Sequence, residues 1–168
     1  MKQVTSYFIG DLHFFHQKIY EPRGFSSVEE HNSELIKRWN SVVRPHDKVY
    51  VLGDFCFQGW SNISIAEKLN GKKILILGNH DHYDMLEFRK YFYKIYGSLP
   101  YKNGLLMHIP PHECQLQRYK WIIHGHMHTY NIDDSRYVNV SAEQINLTPI
   151  SFQDLVDKHK LIVKEPKC

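Results

Sequence analysis

Residues 73–81 read Lys73-Ile74-Leu75-Ile76-Leu77-Gly78-Asn79-His80-Asp81. Lys73 to Leu77 is a short run of branched apolar side chains, too brief for an ordinary helix, and it reads as a buried strand. The run stops at a glycine and gives way to an amide, an imidazole and a carboxylate. A turn has use for the glycine but none for His80 or Asp81. In layered α/β proteins functional groups gather where strands end, so the other strand ends decide what this one means.

They repeat the pattern. Val4 to Ile9 reads as a strand ending in Gly10-Asp11-Leu12-His13, and Lys48 to Leu52 as one ending in Gly53-Asp54. Leu105 to His108 ends in His108-Ile109-Pro110, and Trp121 to His124 leads into Gly125-His126-Met127-His128. Tyr137 to Val140 is a further strand. A glycine sits just before the polar group in four of these five ends, where it is expected to permit a tight turn that aims that group outward. Each piece alone has a plain structural reading. Asp-x-His is by default a surface pair or a cap, Gly-Asp a turn, and Gly-His-x-His two exposed imidazoles on an extended chain. Recurrence in order, each time after an apolar run, is what departs from that default.

Helical patterns lie between the strands. From Ser27 to Val43, the residues Val28, Leu35, Ile36, Trp39 and Val43 recur at helical spacing. Ser26 or Ser27 with Glu29 or Glu30 three residues on makes a capping box, and Pro45 ends the helix. Asn62 to Leu69 is a shorter helix with Asn62 as cap and Gly71 as stop, and another runs from about Met85 to Phe92. Asn103-Gly104 between apolar flanks signals a hairpin turn. A last helix starts near Ser151, where Ser151-x-x-Asp154 supplies a cap, and reaches about His159. Alternating strands and helices, with no repeat or linker-like stretch, predict one α/β domain over residues 1–168.

Composition narrows the function classes. Lys and Arg number 21 against 18 Asp and Glu, and a balance of +3 is too weak to argue for nucleic acid or a membrane surface. The longest apolar runs, such as Ile74 to Leu77, are four residues, so no membrane partner is expected. Met1-Lys2-Gln3 passes straight into a strand, so no signal peptide is expected. Cys56, Cys114 and Cys168 form no C-x-x-C pair. Neither a disulfide framework nor a cysteine-rich zinc site is expected, and a cytoplasmic location fits best. Histidine is the unusual count, at 12. Imidazole is both the commonest metal ligand and the usual acid–base group near neutral pH.

The five strand ends together resemble the calcineurin-like metallophosphoesterase superfamily, whose motifs are Asp-x-His, Gly-Asp, Gly-Asn-His-(Asp/Glu), a single His, and Gly-His-x-His. The stretch from Ser26 through Trp39-Asn40 to Leu52-Gly53-Asp54-Phe55 further resembles its small, uncapped bacterial and phage-type members. The resemblance implies an α/β fold of two facing mixed β-sheets flanked by helices, an αββα sandwich with two metals at one end. Motif by motif, Asp11, His13 and His128 would bind one metal, Asp54 would bridge both, and Asn79, His108 and His126 would complete the second. His80 matches the family's histidine beside the substrate phosphate, with Asp81 placed to orient it. The implied reaction is hydrolysis of a phosphate ester by metal-bound hydroxide. Imidazole, carboxylate and amide donors without thiolate suit Mn²⁺, Fe or Zn²⁺ better than Ca²⁺, with Mn²⁺ favoured.

Departures from better-known branches narrow the substrate. Protein serine/threonine phosphatases carry Gly after the Asp-x-His and Arg shortly after the Gly-Asp; here stand Phe14 and Phe55-Cys56-Phe57-Gln58. DNA-repair nucleases of the superfamily carry a histidine where this chain has Phe57. The expected activity is therefore that of a phosphodiesterase on a nucleotide or other small diester. A phosphomonoesterase with the same centre, and a non-catalytic scaffold of the same fold, are the alternatives. Nucleic acid is neither excluded nor indicated, since Lys72, Lys73, Arg89, Lys90, Lys94, Arg118 and Lys120 are scattered along the chain. Asn79, His80, His16 and Arg23 are the candidate substrate contacts, Arg23 as a substrate-side cation. Phe14, Phe15, Phe55, Phe57, Trp60 and Tyr83 are candidates to stack on a base. His31, His46 and His159 read as surface residues, and His82 and His124 as neighbours of the motifs.

Overall fold

The computed structural model describes residues 3–57, 59–82 and 84–163. Tyr83, Gln58 and Cys168, like the side chain of Trp60, lie outside the described residues. Strands β1 (Ser6–Ile9), β2 (Lys48–Val51), β3 (Lys72–Ile76) and β4 (Lys94–Tyr96) run parallel, with β9 (Ile150–Ser151) antiparallel beside β1, in the order β4-β3-β2-β1-β9. A second sheet has the order β5-β6-β7-β8, from β5 (Ser98–Tyr101), β6 (Gly104–Met107), β7 (Ile122–His124) and β8 (Tyr137–Asn139). Here β5 is antiparallel to β6, and β6, β7 and β8 are parallel.

Side-chain alternation along the first sheet builds two cores. Phe8, Tyr50, Leu52, Ile74 and Ile76 point toward the second sheet and pack with Leu106, Trp121, Ile123 and Val138. Ile9, Val49, Val51 and Leu75 point the other way, onto Leu35 and Trp39 of helix α1 (Val28–Val42) and Phe88 of helix α2 (Met85–Tyr91). The two sheets thus face each other, with α1 and α2 on the outer face of the first. Helix α3 (Phe152–His159) inserts Phe152 and Leu155 into the core between the sheets. Among the described residues no helix is long and apolar enough to cross a membrane.

The expected caps form. Ser27 Oγ accepts from the Glu30 N–H at 3.1 Å, and the Glu30 carboxylate reaches back to the Ser26 N–H at 2.7 Å. Ser151 Oγ accepts from the Asp154 N–H at 3.1 Å at the start of α3. Three expectations shift. The helix expected over Asn62–Leu69 is a 3₁₀ helix, Trp60–Lys68; Ile63 and Ala66, followed by Leu69, form a buried row at every third position, which suits three residues per turn, and Ile65 is buried beside it. Asn62 lies inside it, the N-cap position being Gly59, and the Asn62 Nδ2 donates to the Phe57 carbonyl at 2.8 Å. The hairpin turn is Lys102-Asn103, with Lys102 at φ 54°, while Gly104 already pairs with Tyr101. Gly104 is a packing residue, because a Cβ there would collide with the Trp121 indole.

Candidate metal centre

Parallel strands end on the same side. The carboxyl ends of β1, β2, β3, β6 and β7 therefore bring Asp11, His13, Asp54, Asn79, His108, His126 and His128 to one end of the sandwich. Ligand atoms of Asp11, His13 and His128 lie within 4.8 Å of one another, as do those of Asp11, Asp54 and His108. His13 Nε2 is 3.9 Å from Asp11 Oδ1 and 3.7 Å from Asp54 Oδ2, and His128 Nε2 is 3.9 Å from Asp11 Oδ1. Asn79 joins through His108, whose Nε2 is 2.9 Å from Asn79 Oδ1 and 3.5 Å from Asp54 Oδ2. The His126 ring lies 5.1 Å from the His108 ring, and its backbone N–H donates to both Asp11 carboxylate oxygens.

This cluster has lone pairs but too few protons. His108 Nδ1 is 2.6 Å from the Leu52 carbonyl, which only a donor can satisfy. In the neutral ring Nε2 then carries a lone pair, and it faces two further acceptors, Asn79 Oδ1 and Asp54 Oδ2. His13 is buried with neither ring nitrogen hydrogen-bonded among the described residues. Burial first, then the nearby Arg23 and His128, push its pKa down to about 2, which keeps the ring neutral. Acceptors converging on His108 Nε2, and a neutral His13 whose ring nitrogens are buried without partners among the described residues, fit divalent cations.

The backbone is bent to reach this arrangement. Asp11, His13, Asp54, His126 and His128 all have φ between 48° and 68°, a region that non-glycine residues enter at a cost of roughly 1–3 kcal/mol each. The preceding glycines serve a different purpose from the one their positions suggested. Of Gly10, Gly53, Gly78 and Gly125, only Gly53 has positive φ. The others make room: a Cβ on Gly125 would lie 2.5 Å from Asp11 Oδ2, and one on Gly78 would overlap Asp54 Oδ1.

Several expected roles change. Arg23 is not a substrate-side cation. Its side chain is 2% exposed and all five of its N–H donors are used, on Glu143 Oε1 twice, the Asp11 and Leu12 carbonyls, and His31 Nε2. His31 is correspondingly a buried residue, held neutral by burial and Arg23 with its pKa down at about 4. Asp81 does not orient His80. Its carboxylate accepts the N–H groups of Gly78, Asp54 and Phe55 at 2.8–3.0 Å, tying the β3 loop to the β2 loop. His80 is exposed at the mouth, with its backbone N–H on Asp54 Oδ1 at 2.9 Å and its ring 5.0 Å from Phe57. His16 stands against the other edge of Phe57 at 4.4 Å. Phe14 and Phe55 are core residues, and Phe15 packs against that core. Phe57 alone of the expected phenylalanines borders the site. His124 is buried beneath it.

Glu143 is the residue the motifs do not reveal. It lies in a short 3₁₀ helix, Ala142–Ile145, after β8. Its Oε1 accepts from His128 Nδ1 at 2.9 Å, which leaves His128 Nε2 free to face Asp11. Burial pushes the carboxyl up, but the hydrogen bond from His128 and the Arg23 guanidinium outweigh it and hold Glu143 at about 2. The His128 pKa rises in turn, chiefly through that hydrogen bond. Ser141 Oγ accepts from the His128 N–H at 3.1 Å. The segment after His128 thus both completes the sheets and braces the site.

Residues 5–164 match the family described as calcineurin-like phosphoesterase. An uncharacterized protein of Methanocaldococcus jannaschii is 38% identical over 96% of this chain and 97% of its own length. The Gene 66 protein of Mycobacterium phage D29 is 27% identical over 89% of this chain and 90% of its own. Among solved structures, a protein of unknown function from Aquifex aeolicus superposes with a TM-score of 0.72 at 27% identity, covering 93% of this chain and 99% of that one.

Proposed function

The chain belongs to the calcineurin-like phosphoesterase family, and from that premise we propose that it is a two-cation phosphodiesterase acting on a nucleotide or another small diester. The observation that carries the reading is the convergence of two imidazole nitrogens on Asp54 Oδ2, His13 Nε2 at 3.7 Å and His108 Nε2 at 3.5 Å. Asp11, His13 and His128 would hold one ion, Asn79, His108 and His126 the other, and Asp54 both. Mn²⁺ is the favoured metal, because nitrogen and oxygen donors are mixed and thiolate is absent. When bound, two such cations neutralise phosphoryl oxygens and supply hydroxide at neutral pH.

The chain's own residues do the rest. Hydrolysis breaks one P–O bond; the oxygen of water goes to phosphorus, and the departing oxygen must gain a proton. His80 stands exposed at the mouth with its loop docked on Asp54, and gives that proton from its ring. The Phe57 ring, packed between His13, His16 and His80, holds the imidazoles apart and excludes water from one wall.

With Mn²⁺ restored, bis-p-nitrophenyl phosphate is expected to turn over faster than the monoester. His80→Ala should lower kcat by about 10²–10⁴-fold with metal content unchanged by elemental analysis. A faster monoester would make the protein a phosphomonoesterase. Full activity in His80→Ala would remove that residue from proton transfer.

A further inference from the structure

Lys72, Arg89 and Lys94 look scattered in the sequence, but the fold gathers them along the β3–β4 edge, with Lys72 and Lys94 at the amino ends of those strands and the candidate metal centre beyond their carboxyl ends. A cavity of about 200 Å³ opens next to Asn79 and His108 and is also lined by Leu77 and Gly97. A larger one of about 560 Å³, lined by Leu77 and Gly97 as well, continues past Met85, Arg89, Tyr93 and Lys94. The two cavities adjoin at Leu77 and Gly97, and together they outline a groove leading away from the site. Its course follows the outer edge of the first sheet. The Leu77 N–H donates to the Tyr96 carbonyl at one end, and the Tyr93 N–H donates to the Lys73 carbonyl at the other. Lys73 to Leu77 spans roughly 13 Å at about 3.3 Å per residue, the length of roughly four stacked nucleotides at about 3.4 Å each.

The lining suits such a chain. Tyr93 is 64% exposed, which no core role explains. The ammonium groups of Lys72 and Lys94 stand 5.6 and 5.5 Å from its ring centroid. Among the described residues no carboxylate pairs with Lys72, Arg89 or Lys94, whereas neighbouring Lys90 is tied to Glu87 at 2.7 Å. Proteins hold single strands by stacking bases on aromatic rings and pairing phosphates with cations. Here the Lys72 and Lys94 ammonium groups lie over the Tyr93 ring, so a bound strand would draw an ammonium off the ring to a phosphate and set a base in its place. A small diester bound at the metal centre would reach none of it. Resting on the phosphodiesterase reading, we propose that the groove seats the nucleotides flanking the scissile bond of a single-stranded oligonucleotide.

Fluorescence anisotropy of labelled dT8 and U8 against the full chain, in EDTA so that nothing is cleaved, tests this and separates DNA from RNA. The wild type is expected to bind at least one of them, more weakly as salt rises. Arg89→Glu with Lys94→Glu should lower affinity at least tenfold and flatten the log–log salt dependence by about 0.7 for each phosphate no longer neutralised. Tyr93→Ala alone should lower it fivefold or more. All three positions are exposed, and thermal melts will verify folding. Failure of both oligomers to bind, or wild-type affinity in the charge-reversed protein, overturns the proposal. Binding that Tyr93→Ala leaves untouched marks a general polyanion surface and overturns it too. A parallel Mn²⁺ assay on bis-p-nitrophenyl phosphate keeps the two readings apart. Hydrolysis without oligonucleotide binding overturns the groove alone, whereas binding without hydrolysis overturns the catalytic reading and with it the placing of a scissile bond beside the groove.

Discussion

Gly78→Ala is expected to lose at least about 100-fold in kcat/KM and most of its metal while staying folded. A Cβ at Gly78 would overlap Asp54 Oδ1 and lie 2.5 Å from the Asp54 backbone nitrogen. Something must move, and the candidates are the proposed bridging carboxylate or the loop carrying Asn79 and His80, which is itself hydrogen-bonded to that carboxylate at 2.9 Å. A displacement of about 1 Å at a reacting centre costs on the order of 10²-fold. Overpacking costs roughly 1–3 kcal/mol, a fall of a few degrees to about 10 °C in Tm for a chain of this size. Because Gly78 is not at positive φ, alanine adds no backbone strain there, and the damage stays local. Gly59→Ala is the control: its φ of 86° makes alanine costly, but nothing lies within 4 Å of the added methyl, so activity should persist. Near-normal turnover in Gly78→Ala would mean that Asp54 does not need its present position.

Glu143→Ala is expected to be the most destabilising single change near the site. It leaves the Arg23 guanidinium, 2% exposed, without its counter-charge, and breaking one side of a buried pair costs about 3–5 kcal/mol. The metal-free protein should therefore melt roughly 10 °C lower. His128 loses the acceptor that fixes its Nδ1 proton, and metal affinity should fall about 10–100-fold. Glu143→Gln keeps an acceptor for His128 and should recover much of the affinity while recovering less of the stability. Arg23→Met should also weaken metal binding, since Arg23 holds the Asp11 and Leu12 carbonyls at 2.6 and 3.0 Å. Differential scanning fluorimetry with EDTA, followed by Mn²⁺ titration calorimetry, reads both effects. Unchanged melting and unchanged affinity in Glu143→Ala would show the Arg23–Glu143 pair to be incidental.

The α/β alternation and the motifs at the strand ends are legible because each motif directly follows a short apolar run, while the division into two facing sheets with the motifs at one end is what the family resemblance implies. The caps at Ser27 and Ser151 were legible because capping is local. What escaped depends on contacts far along the chain. Glu143 follows His128 by fifteen residues, in a 3₁₀ turn without periodicity, and a lone Glu there carries no signal. Arg23 follows the first motif loop closely enough to suggest a substrate contact, but Glu143, 120 residues away, draws it inward. Asp81 adjoins His80 in sequence, yet its carboxylate is taken by the N–H groups of Gly78 in its own loop and of Asp54 and Phe55 in the β2 loop. The glycines pointed to tight turns, whereas at these strand ends the left-handed backbone falls on Asp11, His13, Asp54, His126 and His128 themselves and, of the preceding glycines, only on Gly53.

The central claim is that side chains from five strand ends hold two cations around Asp54. Anomalous diffraction from crystals grown with Mn²⁺ measures it directly. Two peaks are predicted, about 3.5–4 Å apart, both touching the Asp54 carboxylate, with His13 and His128 on one and Asn79 and His108 on the other. A single peak away from Asp54, or none within the cluster at saturating Mn²⁺, would contradict the account.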